Sequence, residues 1–161
     1  MIYGTQAVVL MADDDADDRA LTKEAFEENR LSADLRFVAD GEELMDYLCG
    51  RGAYAEPGSA PLPGLVLLDL NMPRKDGREA LQEIRANPRL KNIRVVVLTT
   101  SQEQIDVSAA YDLSATSYIH KPNTFDALVD VVRAIGEYWL GTVMLPTPVH
   151  THGFGPCGHQ Q

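Results

Sequence analysis

The feature that most constrains this chain is an alternation. Short apolar runs take turns with segments whose apolar residues recur at helical spacing. "AVVLMA" (7–12), "DLRFVAD" (34–40), "GLVLLDL" (64–70), "IRVVVLTT" (93–100) and "TSYIH" (116–120) read as strands. Near-continuous apolar runs belong to strands buried on both faces. The segments between them read as helices. "DDRALTKEAFEEN" (17–29) has helical spacing through Leu21, Ala25 and Phe26, and "GEELMDYLCG" (41–50) places Leu44 and Leu48 one turn apart. "GREALQEIRANP" (77–88) is stopped by Pro88, "SQEQIDVSAAYDL" (101–113) follows the fourth strand, and "TFDALVDVVRAIGEYWLG" (124–141) is capped by Thr124 or Asn123. Strands and helices in strict alternation predict an α/β fold, a doubly wound (βα)5 sandwich with a parallel sheet covered on both faces and right-handed crossovers.

In such folds ligands bind beyond the carboxyl ends of the strands. Polar residues should therefore collect just after the apolar runs if the sheet hosts chemistry, and they do. The first strand ends in Asp13 and Asp14, within "ADDDADDR" (12–19). The third ends in Asp69, with Asn71 two residues on. The fourth ends in Thr99 and Thr100, the fifth in His120, Lys121 and Pro122, and the second offers only Asp40.

Carboxylates brought together at neighbouring strand ends cannot all stay ionised without a partner. A hard divalent cation such as Mg²⁺ (or Mn²⁺) relieves the repulsion through oxygen ligands. The acidic run is ambiguous by one residue. Asp13 and Asp14 are taken as the metal candidates because they follow the apolar run directly, while Asp15 and Asp17 suit the start of the first helix. By itself the run would read as a solvated helix start. Asp69 changes the balance, because a carboxylate ending "LVLLDL" is seldom buried unpaired. Lys121 is its natural partner, either as a plain ion pair or as a cation in the same pocket. Thr99 is either an ordinary β-branched strand residue or a hydroxyl donor to an oxyanion. Together these groups suit phosphoryl transfer: a carboxylate nucleophile, a metal, a fixed cation and a hydroxyl.

The quoted motifs resemble those of a response-regulator receiver domain of two-component signalling, a CheY-like, flavodoxin-like fold. The resemblance spans roughly residues 7–140. It rests on the paired Asp after the first strand, "LLDLNMPRKDG", "LTT" and "YIHKP". It implies strand order 2-1-3-4-5, Asp69 as phosphoacceptor, and a metal held by Asp13, Asp14, Asp69 and the backbone carbonyl of Asn71. It implies that Thr99 and Lys121 hold the phosphoryl group and that Tyr118 is an aromatic switch following Thr99. Thr100 departs from the pattern, since a smaller residue is common there. Loop 51–64 and the ending "EYWLGTVMLP" are similar to small stand-alone regulators paired with phytochrome-type histidine kinases. That likeness implies a sensor histidine kinase as partner and a homodimer formed through Tyr138, Trp139 and Leu140.

The expected organisation is a receiver domain over 1–145 and a polar tail over 146–161, with no output domain. The His150, His152, Cys157 and His159 of that tail read as a terminus rather than a metal site. The formal net charge of −10 argues against nucleic acid as a partner. The densest basic group, Arg85, Arg89, Lys91 and Arg94, reads as a solvated helix end and loop. No apolar run approaches the ~20 residues of a membrane span, and no basic-then-apolar leader opens the chain. Cys49 and Cys157 are far apart and form neither a disulfide framework nor a zinc pattern, so a cytoplasmic location is expected. The expected protein accepts and loses its own phosphoryl group rather than turning over a separate substrate. The alternative is a Mg²⁺-dependent aspartyl-phosphate phosphohydrolase, which wants a second acid where Asn71 stands. A flavodoxin-like FMN protein would need a phosphate-binding Gly/Ser/Thr loop where the acidic run lies.

Overall fold

The computed structural model describes residues 7–99 and 117–141, with the side chains of 139–141 outside the description. The elements are β1 (Ala7–Ala12), α1 (Ala16–Glu28), β2 (Ala33–Val38), α2 (Gly41–Cys49), a 3₁₀ turn (Gly52–Tyr54), β3 (Leu65–Leu68), α3 (Gly77–Ala86), β4 (Arg94–Thr99), β5 (Ser117–His120), α4 (Phe125–Ile135) and a π-helical turn (Gly136–Gly141). The helix expected over 101–113, Thr100 and the tail lie outside the described residues.

The strands form one parallel sheet in the order β2-β1-β3-β4-β5, as expected. Successive side chains of a strand leave on opposite faces, which divides the core in two. Leu10, Ala12, Val66, Leu68, Val95 and Val97 pack against Leu44, Leu48, Leu81 and Ile84 of α2 and α3. Val9, Met11, Leu65, Leu67, Val96 and Leu98 pack against Ala25, Phe26, Leu128, Val132 and Ile135 of α1 and α4. The apolar runs are therefore continuous because both faces are covered.

The register places the site. Ala12 stands opposite both Val38 and Leu68. The Asp13 N–H donates to the Val38 carbonyl at 3.1 Å and the Asp69 N–H to the Ala12 carbonyl at 3.0 Å, so β1 and β3 end level. Thr99 stands opposite His120, and the Lys121 N–H donates to the Thr99 carbonyl at 2.7 Å. Four neighbouring strands thus deliver their terminal polar residues to one edge.

Caps account for where the helices begin. Asp15 accepts from the N–H groups of Asp17 and Asp18. Asp40 caps α2, and Asp76 and Glu79 form a capping box at α3. Thr124, rather than Asn123, caps α4. The α3 helix ends at Ala86 because Asn87, preceding Pro88, is extended.

Two local readings are corrected. In α1 the inward residues are Thr22, Ala25 and Phe26, whereas Leu21 is 39% exposed. The Thr22 hydroxyl donates to the Asp18 carbonyl at 2.8 Å, which lets a polar residue be buried without an orphaned group. The last helix is not uniformly α-helical to residue 141. Gly136 presses so close to Leu31 that a Cβ there would lie 2.6 Å from a Leu31 methyl, and the backbone widens into the π turn at this contact. Cys49 is buried at the end of α2, as its place in the sequence suggested. The loop over 51–64 is tied to α2. The Tyr47 hydroxyl donates to the Pro61 carbonyl at 2.7 Å and the Tyr54 hydroxyl to Glu43 at 2.6 Å.

Candidate functional site

Asp13 and Asp69 are buried and Asp14 is exposed, yet one carboxylate oxygen from each lies within 4.8 Å of the others. Two backbone turns aim the buried pair. Asp13 accepts from the Asp15 N–H at 2.9 Å, and Asp69 accepts from the Asn71 N–H at 3.0 Å. The donor set is all oxygen, with no thiol or imidazole, which fits a hard divalent cation.

Lys121 is buried beside them. Its Nζ lies 2.7 Å from Asp13 Oδ2, 2.9 Å from Asp18 Oδ2 and 3.4 Å from Asp69 Oδ2. The sequence paired Lys121 with Asp69, and the structure puts it nearer Asp13 and Asp18. Asp18 was missed. Its signal was present in the acidic run, which holds more carboxylates than a helix start and a metal need. Its reach to Lys121 depends on how the first turn of α1 lies over the end of β1.

Burial pushes the Asp13 carboxyl above the ordinary range, against the hydrogen bonds from Lys121 and the Asp15 N–H. Burial likewise pushes the Asp69 carboxyl up, against the Asn71 N–H and the nearby ammonium. For Lys121 burial acts downward, but the hydrogen bond to Asp13 and the fields of Asp69 and Asp13 outweigh it, so its value is raised. All three shifts are upward, the two acids through burial and the ammonium through the carboxylates around it. Lys121 stays charged, and the acids around it carry more negative charge than it can offset.

The loop after Asp69 is held on both sides. The second carboxylate oxygen of Asp40 accepts from Arg74 Nε at 3.0 Å while the first caps α2. The lone acid at the end of the second strand is therefore a brace for the loop after Asp69, not part of the oxygen cluster. Arg74 itself has a φ of 65°. Gly77 sits where a Cβ would lie 2.4 Å from the Asp69 carbonyl oxygen. The basic group on and after α3 is structural in part, since Arg85 donates to the carbonyls of Lys91 and Ile93 at 2.8 and 2.6 Å.

Thr99 is fully buried at the end of β4. Tyr118, on edge strand β5, is half-buried and packs against the α2/α3 side of the core. Its hydroxyl is buried with no hydrogen-bond partner among the described residues. Tyr138 is 60% exposed on the π turn, and the side chains of Trp139 and Leu140 lie outside the description. No helix among the described residues is long and apolar enough to cross a membrane.

A buried carboxylate between acids and an ammonium, with room for a hard cation, can act as a nucleophile toward a phosphoryl group whose charge the cations offset. Comparison with known proteins points the same way. The family described as the response regulator receiver domain matches residues 9–133. Response regulator Rcp1 of Synechocystis is 42% identical over 139 residues, covering 86% of this chain and 92% of that protein. The Mn²⁺-bound form of Rcp1 has been solved and superposes with a TM-score of 0.78 over 88% of this chain and 99% of its own, at 41% identity. The phosphorylated cyanobacterial phytochrome response regulator RcpA superposes with a TM-score of 0.79, at 40% identity, over 89% of this chain and 100% of its own. A probable methanogenesis regulatory protein, FilR2 of Methanothrix harundinacea, is 38% identical over 141 residues, 88% of each chain.

Proposed function

This chain belongs to the response regulator receiver domain family, and from that premise we propose that Asp69 accepts a phosphoryl group from the phosphohistidine of a sensor histidine kinase. An Asp69 oxygen attacks phosphorus, the P–N bond breaks with its electron pair returning to the imidazole, and an acyl phosphate forms. Water later cleaves the acyl phosphate to inorganic phosphate and restores the carboxylate. Asp13, Asp14, Asp69 and the Asn71 carbonyl would hold Mg²⁺ (or Mn²⁺), which would offset charge on the phosphoryl oxygens. Lys121 holds one of those oxygens and the Thr99 hydroxyl another, and Tyr118 follows Thr99 to alter the surface at β4 and β5.

The observation that carries this reading is the buried Asp69 carboxylate set among two other acids and the Lys121 ammonium at the strand ends. The Mn²⁺-bound form of the similar Rcp1 supports a divalent ion. Asn71 occupies the position where a phosphohydrolase needs a second acid, so that reading is not favoured.

A phytochrome-type kinase is the proposed phosphodonor, supported by the 40% identity to the phytochrome response regulator RcpA. Such a partnership would call for a cytoplasmic protein, alongside the kinase's catalytic part. The proposed dimer runs through the turn bearing Tyr138, Trp139 and Leu140, because a large aromatic left 60% exposed suits an interface. Intact-mass spectrometry after incubation with Mg²⁺ and acetyl phosphate tests the core of the reading. Wild type should gain one phosphoryl group. Asp69→Asn and EDTA-treated protein should gain none. A phosphoryl gain by Asp69→Asn, or none by wild type from either acetyl phosphate or a kinase, would sink it.

A further inference from the structure

Lys121 has one positive charge and three donor hydrogens, and three acids meet them. Two of these, Asp13 and Asp69, belong with Asp14 to the converging oxygen set. Asp18 does not. It lies on the first turn of α1, partly exposed, and its carboxylate reaches Lys121 Nζ at 2.9 Å. We propose that Asp18 is a positioning residue, the counter-charge that keeps the Lys121 ammonium beside Asp69 when a divalent cation occupies Asp13, Asp14 and Asp69. This deepens the function proposed above and rests on it.

The argument is electrostatic. A divalent cation on Asp13 and Asp69 cancels the field that holds the ammonium there and repels the ammonium itself. A buried ammonium without a counter-charge is costly. Of the three acids among the described residues that Lys121 contacts, only Asp18 stays outside the cation's oxygen set. The flexible lysine stem lets the charge pivot toward α1 without leaving the pocket. From there it can turn back to an oxygen of a phosphoryl group on Asp69. Without Asp18, the ammonium has, among the described residues, only the cation's own ligands to pair with, and it competes for them. The sequence could show the carboxylate but not this division of labour, which depends on α1 lying beside the end of β5.

The test compares Asp18→Asn with Asp17→Asn in the full chain. Asp17 is the exposed neighbour on the same turn, so its variant removes the same charge without touching Lys121. Free Mn²⁺ is counted by electron paramagnetic resonance, and the lifetime of the phosphoryl group is followed by intact mass. Asp18→Asn should weaken Mn²⁺ binding roughly three- to tenfold, against less than about twofold for Asp17→Asn. It should also change the phosphoryl lifetime where Asp17→Asn does not. Asp18→Glu, which restores the charge, should recover most of the affinity. A role at the helix start alone would lower Tm and leave Mn²⁺ affinity equal in the two Asn variants. That equality overturns the proposal, as does an Asp18→Glu no better than Asp18→Asn. A wild type that binds no Mn²⁺ overturns the metal reading and the role of Asp18 together, whereas equality of the variants in a binding wild type overturns the role of Asp18 alone.

Discussion

At the scale of residues, the site is a deliberate concentration of like charge. Asp13 and Asp69 are carboxyls that burial has pushed up, and a group whose folded value is raised favours folding only while it is protonated. Their contribution is full below the ordinary value of 3.8 and is lost as pH rises through the raised values. At neutral pH without metal both acids therefore oppose folding. Asp69→Asn should raise Tm by a few degrees at pH 7 in EDTA, and the gain should vanish near pH 3.8. Melts at the two pH values check this, and a lower Tm at pH 7 would contradict it. Lys121→Ala should act in the opposite sense. Stripping the shared cation from Asp13, Asp18 and Asp69 should cost about 3 kcal/mol at pH 7, measured by urea unfolding, and much less at acid pH.

At the scale of elements, the decisive piece is the loop from β3 to α3, which carries Asp69 at one end and Gly77 at the other. Gly77→Ala would drive a Cβ to 2.4 Å from the Asp69 carbonyl and 2.7 Å from Leu70 Cα, both backbone atoms. The substitution should cost roughly 2–4 kcal/mol and slow the proposed phosphoryl uptake together, because relief of the clash must move Asp69. Asp40→Ala should cost about 1–2 kcal/mol by removing the α2 cap and the Arg74 brace at once. The strands were readable within a residue or two wherever both faces are covered, since burial on both sides leaves an unbroken apolar run. Leu21 misled because helical spacing names a face without saying which neighbour it meets. Here Thr22 turns inward and satisfies its hydroxyl on the helix's own backbone. The π turn after Ile135 was not legible along the helix, where Gly136 meets Leu31, a neighbour remote in sequence.

At the scale of the whole molecule, the proposed metal binding, phosphorylation and assembly would be linked equilibria. A divalent ion that binds only the folded chain stabilises it by mass action, about 2.7 kcal/mol at a hundred times its dissociation constant. Mg²⁺ should therefore raise Tm at pH 7, and Asp14→Asn should abolish most of the rise while leaving the EDTA value nearly unchanged, since Asp14 is exposed. For assembly, Tyr138→Glu places a charge on the proposed contact and should shift the protein to monomer in light scattering, with Mg²⁺-dependent phosphorylation retained. A dimer unaffected by that change would place the interface elsewhere.

The sequence by itself determined the sheet, its two covers and the residue types at the strand ends, because apolar continuity and helical spacing are local consequences of burial. It also determined that Asp69, Asp13, Asp14 and Lys121 would share one edge, since a parallel sheet sends every strand's carboxyl end the same way. Only the tertiary structure decided which acid meets which charge. Asp40 became a brace, Asp18 became a partner of Lys121, and Lys121 sat nearer Asp13 than Asp69. Those pairings depend on ångström-scale register between elements far apart in the chain, and no pattern along one strand or helix encodes that distance.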